Sequence, residues 1–153
     1  MSRSWVAFLS FFALVGCQFS SEEVYMNALD GNWEKNNIQK FQFEVKDTHT
    51  PKNIIFVVRN NNDYPFTNLR VFGKIYKKGT KPTTTDTLNY ILAKPNGGWL
   101  GKGFGDTKEI LFQYKTGTAL EQGQYVVEVQ QAMRKDTLVG IEDIGIKIEL
   151  AKP

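Results

Sequence analysis

The stretch IGIKIEL, Ile144 to Leu150, decides the fold. Ile144, Ile146, Ile148 and Leu150 alternate with Gly145, Lys147 and Glu149, so one side is apolar and the other largely polar. Successive side chains leave a β-strand on opposite faces, and a period of two marks a strand half buried in a sheet. The same period recurs toward the N-terminus. Tyr125, Val127 and Val129 alternate with Val126, Glu128 and Gln130, and Phe41, Phe43 and Val45 alternate with Gln42, Glu44 and Lys46. Leu88, Tyr90 and Leu92 share one side of the run Thr87 to Ala93. Leu69, Val71 and Ile75 share one side of Leu69 to Tyr76, with Phe72 and Tyr76 on the other, and Ile110 to Lys115 is a shorter run. NIIFVVR, Asn53 to Arg59, is β-branched and apolar throughout, as in a strand buried on both faces.

Turn-forming clusters separate these runs: Asn60-Asn61-Asn62-Asp63, Lys78-Gly79-Thr80-Lys81-Pro82, Pro95-Asn96-Gly97-Gly98, Gly117-Thr118 and Gly123. The acidic pair Glu142-Asp143 reads as a further turn. No long stretch carries a helical period. About seven to eight short strands with regular turn signals predict an all-β fold, an antiparallel β-sandwich. At this level jelly-roll and immunoglobulin-like topologies stay open.

The chain has 153 residues, 41% hydrophobic and 23% charged, which is one domain's worth with apolar content enough for a core. A single Cys excludes an internal disulfide, and His49, the single His, argues against a histidine-built metal site. The net charge of +3 comes from 19 basic and 16 acidic residues intermixed along the chain, which gives no footprint for nucleic acid.

The N-terminus reads MSRSWVAFLSFFALVGC. One charge, Arg3, precedes an apolar run from Trp5 to Val15, broken only by Ser10 and too short to span a bilayer as a helix of about 20 residues. A charged start, a short apolar run and a small residue at its end make a secretory signal peptide. Leu14-Val15-Gly16-Cys17 resembles the bacterial lipobox, whose Cys thiol is lipidated and becomes the mature N-terminus. Polar sequence, Gln18 to Glu23, follows at once. The expected organisation is a lipoprotein signal peptide over 1–16, a lipidated N-terminus and tether over 17–36, and the sandwich over 37–153. Cys17 would carry a diacylglycerol and an N-acyl chain such as palmitate, and no other cofactor is expected. Several acyl tails at about 0.8 kcal/mol per buried CH₂ anchor stably where one would not.

Few residues invite chemistry. Gly101-Lys102-Gly103-Phe104-Gly105 lacks both the spacing of a phosphate loop and the strand-to-helix context of a dinucleotide fingerprint, and reads as a glycine-rich connection. Asp47, Asp86, Asp106 and Asp143 flank strand ends, where carboxylates usually cap turns, and no D-x-D-x-D-G ladder supports a Ca²⁺ loop. Trp33 and Trp99 remain after the signal peptide, either as core residues or as stacking platforms for a sugar ring. No set of nucleophile, base and orienting group can be nominated, so an enzyme is not expected.

Six segments together resemble one family: the lipobox, FEVKDT (Phe43 to Thr48), RNNNDYPFTNL (Arg59 to Leu69), DTLNYILAKPNGGWLGKGFGD (Asp86 to Asp106), GQYVVEVQQAMR (Gly123 to Arg134) and LVGIEDIGIKIE (Leu138 to Glu149). The chain is similar, over essentially its whole length, to the gliding-motility lipoprotein GldH family of Bacteroidota. The resemblance implies a lipoprotein of the cell envelope, lipid-anchored in the outer membrane. It further implies association with gliding and with the secretion apparatus that serves it, and no known reaction; the leading reading is an assembly or stability component acting through protein–protein contacts. It carries one residue role, Cys17 as the lipid attachment site. It matches Arg59, Asn60, Tyr64, Pro65, Asn68, Trp99, Gly101, Gly103, Asp106, Met133 and Arg134 without assigning them roles. The alternative is a carbohydrate-binding or adhesion accessory module using Trp33 or Trp99.

Two loops, Asn60 to Asn68 and Asn96 to Asp106, mix Asn, Gly and aromatics and exceed the usual connection of about 4–6 residues. Asn61, Asn62, Asp63, Tyr64, Trp99, Lys102 and Phe104 are therefore expected to supply partner contacts. The competing reading is internal, with Asn side chains bonding local backbone and Trp99 plugging one end of the core.

Overall fold

The computed structural model describes residues 22–103 and 105–152, so the segment 1–16, Cys17 and Phe104 lie outside the described residues. Ten strands follow one another: β1 (Glu23–Ala28), β2 (Asn32–Glu34), β3 (Gln39–Val45), β4 (Lys52–Asn60), β5 (Asn68–Lys77), β6 (Asp86–Ile91), β7 (Lys108–Thr118), β8 (Gly123–Gln131), β9 (Thr137–Val139) and β10 (Ile141–Leu150). Eight of them form two four-stranded sheets, in the orders β1-β10-β4-β7 and β3-β8-β5-β6, and β2 pairs with β9 in a separate ribbon. Every pairing is antiparallel. Apart from the β5–β6 hairpin, each successive strand of the eight crosses to the other sheet. Immunoglobulin topologies keep more hairpins within one sheet, so this connectivity is a jelly roll.

The apolar sides read from the sequence meet between the sheets. Ile144, Ile146 and Ile148 of β10 and Ile54, Phe56 and Val58 of β4 share one core with Phe41, Phe43 and Val45 of β3, Val127 and Val129 of β8, and Leu69 and Val71 of β5. Each such side chain contributes about 1.5–3 kcal/mol on full burial. The all-apolar run in β4 is buried on both faces as expected. Its outward residues Ile55 and Val57 lie between Lys147 and Gln113, and between Gly145 and Leu111, on the flanking strands.

Two boundaries differ from the sequence reading. The folded domain begins at β1 rather than at residue 37: β1 pairs with β10 from Glu23 to Ala28, and Trp33 of β2 is fully buried opposite Leu138. β1 shows no alternation because it is an edge strand exposed at most positions, held by backbone pairing. Glu142-Asp143 lies inside β10 at a register shift against β4, where Asp143 faces Arg59 at 3.8 Å. A β-bulge of this kind re-aims side chains without ending the strand.

The open edge between β6 and β7 is closed by aromatic and polar groups. Gly73 faces inward on β5, and a Cβ there would stand 3.0–3.2 Å from the Tyr114 phenol, so the absent side chain makes room for it. The Tyr114 hydroxyl donates to Asp86 Oδ2 at 2.8 Å, and Lys115 Nζ donates to the same oxygen at 2.9 Å. The Lys115 bond, helped by that of Tyr114, outweighs burial and holds the Asp86 carboxyl below the usual carboxylate range. Tyr90 stacks on Phe112 with centroids 4.3 Å apart and donates its hydroxyl to the Gln113 carbonyl at 2.9 Å.

Burial pushes the hydroxyls of Tyr64, Tyr90 and Tyr114 up, that of Tyr90 to about 12. A phenol that holds its proton more tightly when folded adds stability that is complete below its unfolded value of about 10. That stability is lost as pH rises from there through the folded value. Thermal melts at increasing pH should therefore show a decline setting in near pH 10. Tyr90→Phe removes one of the titrating phenols and should flatten part of that decline.

Candidate functional site

β4 ends, β5 begins, β6 ends and β7 begins at one end of the sandwich, which brings the segments 61–67 and 92–107 side by side. The first is braced from within. Asn61 Oδ1 accepts the Asp63 N–H at 2.9 Å, its Nδ2 donates to Glu142 Oε1, and its backbone N–H donates to the Gly140 carbonyl at 2.9 Å. Tyr64 is 3% exposed, and its hydroxyl donates to the Asn68 carbonyl at 2.6 Å. Its ring meets Phe66 edge-on at 5.8 Å and Trp99 tilted at 6.4 Å.

The second segment is a small hairpin prolonging β6. Leu100 N–H donates to the Leu92 carbonyl and Lys94 N–H to that of Gly98, each at 2.8 Å. Lys102 then pairs both backbone groups with Glu109 at 2.8 and 2.9 Å. A Cβ on Gly101 would stand 2.8 Å from the Glu109 carbonyl oxygen, and one on Gly103 would overlap that of Thr107. The glycine run thus exists for close backbone approach, and Lys108 Nζ occupies its carbonyls, bonding Gly103 O at 2.9 Å and Gly105 O at 3.0 Å.

Asn62 joins the two segments. Its Oδ1 accepts the Trp99 indole N–H at 3.0 Å, and its Nδ2 donates to Asp106 Oδ1 at 3.1 Å. Both loops singled out in the sequence therefore form one surface, and their side chains divide. Asn62, Asp63 and Lys102 are exposed, Asn61 and Trp99 are half-buried, and Phe104 lies outside the described residues. Tyr64 has no surface to offer: it plugs the core, in the manner of the internal reading. Tyr64→Ala should cost about 3–5 kcal/mol, the range for deleting a buried aromatic. Lys102→Glu, at an ammonium with no acidic partner among the described residues, should change stability by less than about 0.5 kcal/mol. Thermal denaturation of the two variants measures both.

The sugar-platform reading fails for Trp33, which is fully buried with its indole N–H donating to the Asn37 carbonyl at 2.9 Å. The four aspartates are dispersed. Asp47 Oδ1 accepts the His49 N–H at 2.8 Å, which holds its carboxyl below the usual range, while Asp86 and Asp106 accept hydrogen bonds from Lys115 and Asn62 and Asp143 forms an ion pair with Arg59 at 3.8 Å. Among the described residues no three potential metal ligands lie together.

One organising residue escaped the sequence reading. Gln131 is fully buried; its Nε2 donates to the Lys135 carbonyl at 2.8 Å and its Oε1 accepts the Met133 N–H at 2.9 Å. It fixes the β8–β9 loop at this same end. The signal was available: Gln131 continues the inward series Tyr125, Val127, Val129, where an amide must find partners inside.

Fold and surface together define a class, a small jelly-roll domain with one pole built of two braced loops. The GldH lipoprotein family matches residues 22–148, and the chain belongs to that family. It is 40% identical to a gliding motility lipoprotein GldH homolog of Christiangramia forsetii over 76% of each chain. It is 31% identical to the gliding motility lipoprotein GldH of Flavobacterium johnsoniae over 97% of each. Among solved structures, dimeric latent PorU from Porphyromonas gingivalis matches 86% of this chain and 13% of its own, at 7% identity and a TM-score of 0.39.

Proposed function

We propose that this gliding-motility lipoprotein works by protein–protein contact, as an assembly or stability component of the gliding machinery and its secretion apparatus, held at the outer membrane by acylated Cys17. The observation that carries the reading is the placement of the braced loop end relative to the chain's entry. β1 starts at Glu23 opposite Ile148, near the end of β10, so the chain enters at the pole holding the segments 46–51, 78–85 and 119–122. The loops joined by Asn62 lie at the other pole, about 30 Å away over a ten-residue strand such as β5. From Cys17 to Glu22 the chain reaches at most about 18 Å. An anchor at Cys17 keeps the entry pole near the lipid and turns the braced pole outward, toward other proteins.

Mild-detergent pull-down of the tagged lipoprotein tests the reading. Recovery of gliding-machinery subunits supports it, and a preparation free of envelope proteins refutes it. The anchor has its own test. Cys17→Ala should leave the domain out of the membrane fraction or as an uncleaved precursor, and metabolic labelling with a clickable fatty acid should drop to background. Labelling equal to wild type would sink the lipidation of Cys17.

A further inference from the structure

At the outward pole, beside the Asn62 surface, the start of β5 and the β8–β9 loop enclose a pocket of about 370 Å³ lined by Phe66, Asn68, Arg70, Met133, Arg134 and Lys135. Its floor is apolar, with Phe66 and Met133 both half-buried. Its rim is cationic: Arg70, Arg134 and Lys135 are exposed, and none has an acidic partner among the described residues. The nearest acid in sequence, Asp136, reaches Lys35 instead, at 4.0 Å. The walls are fixed before any ligand arrives. Arg70 donates its backbone N–H to Met133 Sδ at 3.2 Å and accepts the Ala132 N–H at 2.8 Å. Gln131 pins Met133 and Lys135 from below, and the Asn68 amide bonds Asn89 at 2.7 Å. Asn68, Met133 and Arg134, which the sequence singled out without a role, thus come together in one place.

We infer that this pocket docks an acidic peptide segment of a protein partner, its carboxylates held by Arg70, Arg134 and Lys135 and one apolar side chain seated against Phe66 and Met133. Three unpaired cations around an apolar floor are complementary to carboxylates flanking an apolar residue. Arg presents a planar fork that matches a carboxylate in bidentate fashion. A lipid headgroup would share the charge, but the pocket lies at the pole away from the chain's entry, facing away from the membrane that would hold Cys17. The preformed walls reduce the ordering that binding would otherwise require. This inference names the partner chemistry of the contact function proposed above and rests on that reading.

The test uses the full lipidated chain in detergent and a fluorescein-labelled peptide of Asp and Glu around a single Leu, followed by anisotropy. Wild type should bind it with an affinity that falls as salt rises. Arg70→Glu with Arg134→Glu should weaken binding at least about tenfold. Lys78→Glu with Lys81→Glu makes the same charge change at the entry pole and should leave binding intact. If reversal lowers the melting temperature, Arg70→Gln with Arg134→Gln should give the same ordering. Equal weakening by both pairs, no binding of the peptide, or displacement of the peptide by soluble glycerol phosphate at lower concentration than by unlabelled peptide would each overturn the inference. Pull-down from cells separates it from the broader reading. Partners recovered equally by wild type and the Arg70→Glu, Arg134→Glu chain overturn the pocket and leave the contact function standing. A wild-type chain that recovers no envelope protein, yet binds the peptide through these arginines, refutes the contact function and supports the pocket.

Discussion

Ile146→Asp unfolds the domain. Ile146 is fully buried in β10, with Tyr25 and Phe56 as its neighbours on either side. Losing the apolar side chain alone costs about 2–5 kcal/mol. The carboxylate that replaces it has no cation or donor waiting in a core of aliphatic and aromatic side chains, and desolvating it adds several more. Total stability for a domain is about 5–15 kcal/mol, so the variant should lack a cooperative thermal transition or melt far below wild type. The neighbouring position supplies the contrast. Lys147 points to the opposite face, where it pairs with Glu22 at 3.3 Å and Glu149 at 3.5 Å. Lys147→Ala removes these ion pairs and part of an alkyl stem, leaves no buried charge, and should cost about 1 kcal/mol. Comparable melting shifts at the two positions would mean that the strand's register is off by one residue.

Gly140→Ala is the second large effect. Gly140 joins β9 to β10 at a φ of +93°, and a Cβ there would overlap the backbone N and Cα of Tyr64. The obstacle is backbone, so no rotamer change relieves it. Gly140 also donates its N–H to the Gly31 carbonyl at 2.8 Å and accepts that of Asn61 at 2.9 Å. Displacement therefore disturbs the β1–β2 turn and the 61–67 loop together. Strain at a left-handed residue and overpacking each cost about 1–3 kcal/mol, so a loss of about 3 kcal/mol or more is expected. Gly79, at a φ of +87°, has nothing within 4 Å of where an alanine methyl would sit, and its Ala variant should lose only about 1 kcal/mol. Equal losses at both would show that backbone conformation alone, rather than the contact with Tyr64, sets the cost.

What the sequence makes legible follows from where each segment's partners lie. β3 and β10 each turn one apolar face to the opposite sheet, so their alternation is written locally. β8 does the same, although Val126 and Glu128 on its other face are also buried. β4 reads as an unbroken apolar run because its outward residues Ile55 and Val57 are buried as well as its inward ones. β1 defeats the pattern because its pairing with β10 uses backbone groups, which every sequence carries. β2 and β9 are three residues each, too short for any period to show. Glu142 and Asp143 look like turn residues until Asn61 and Arg59, some eighty residues away in the chain, are brought beside them. The loop end is legible as two unusual segments, and their joining through Asn62 is not, since it depends on a contact between Asn62 and Trp99. Sequence alone puts Tyr64 on the surface because its loop reads as polar, while its ring turns inward beneath Trp99.

The direction of β1 has a mechanical consequence. The strand is the first element after the segment that would hold the lipid, and it runs from the entry pole toward the outward pole, antiparallel to β10 along all six of its residues. Traction applied at its N-terminus acts along the strand axis. The hydrogen bonds to β10 then share the load in shear and yield together, where a pull from the Ala28 end would peel them off one by one. Met26 laid over Gly145 adds a steric catch against sliding. A body moored in this way can be tugged by its lipid without unravelling from its first residue, and so can carry force between a membrane and whatever grips its far end.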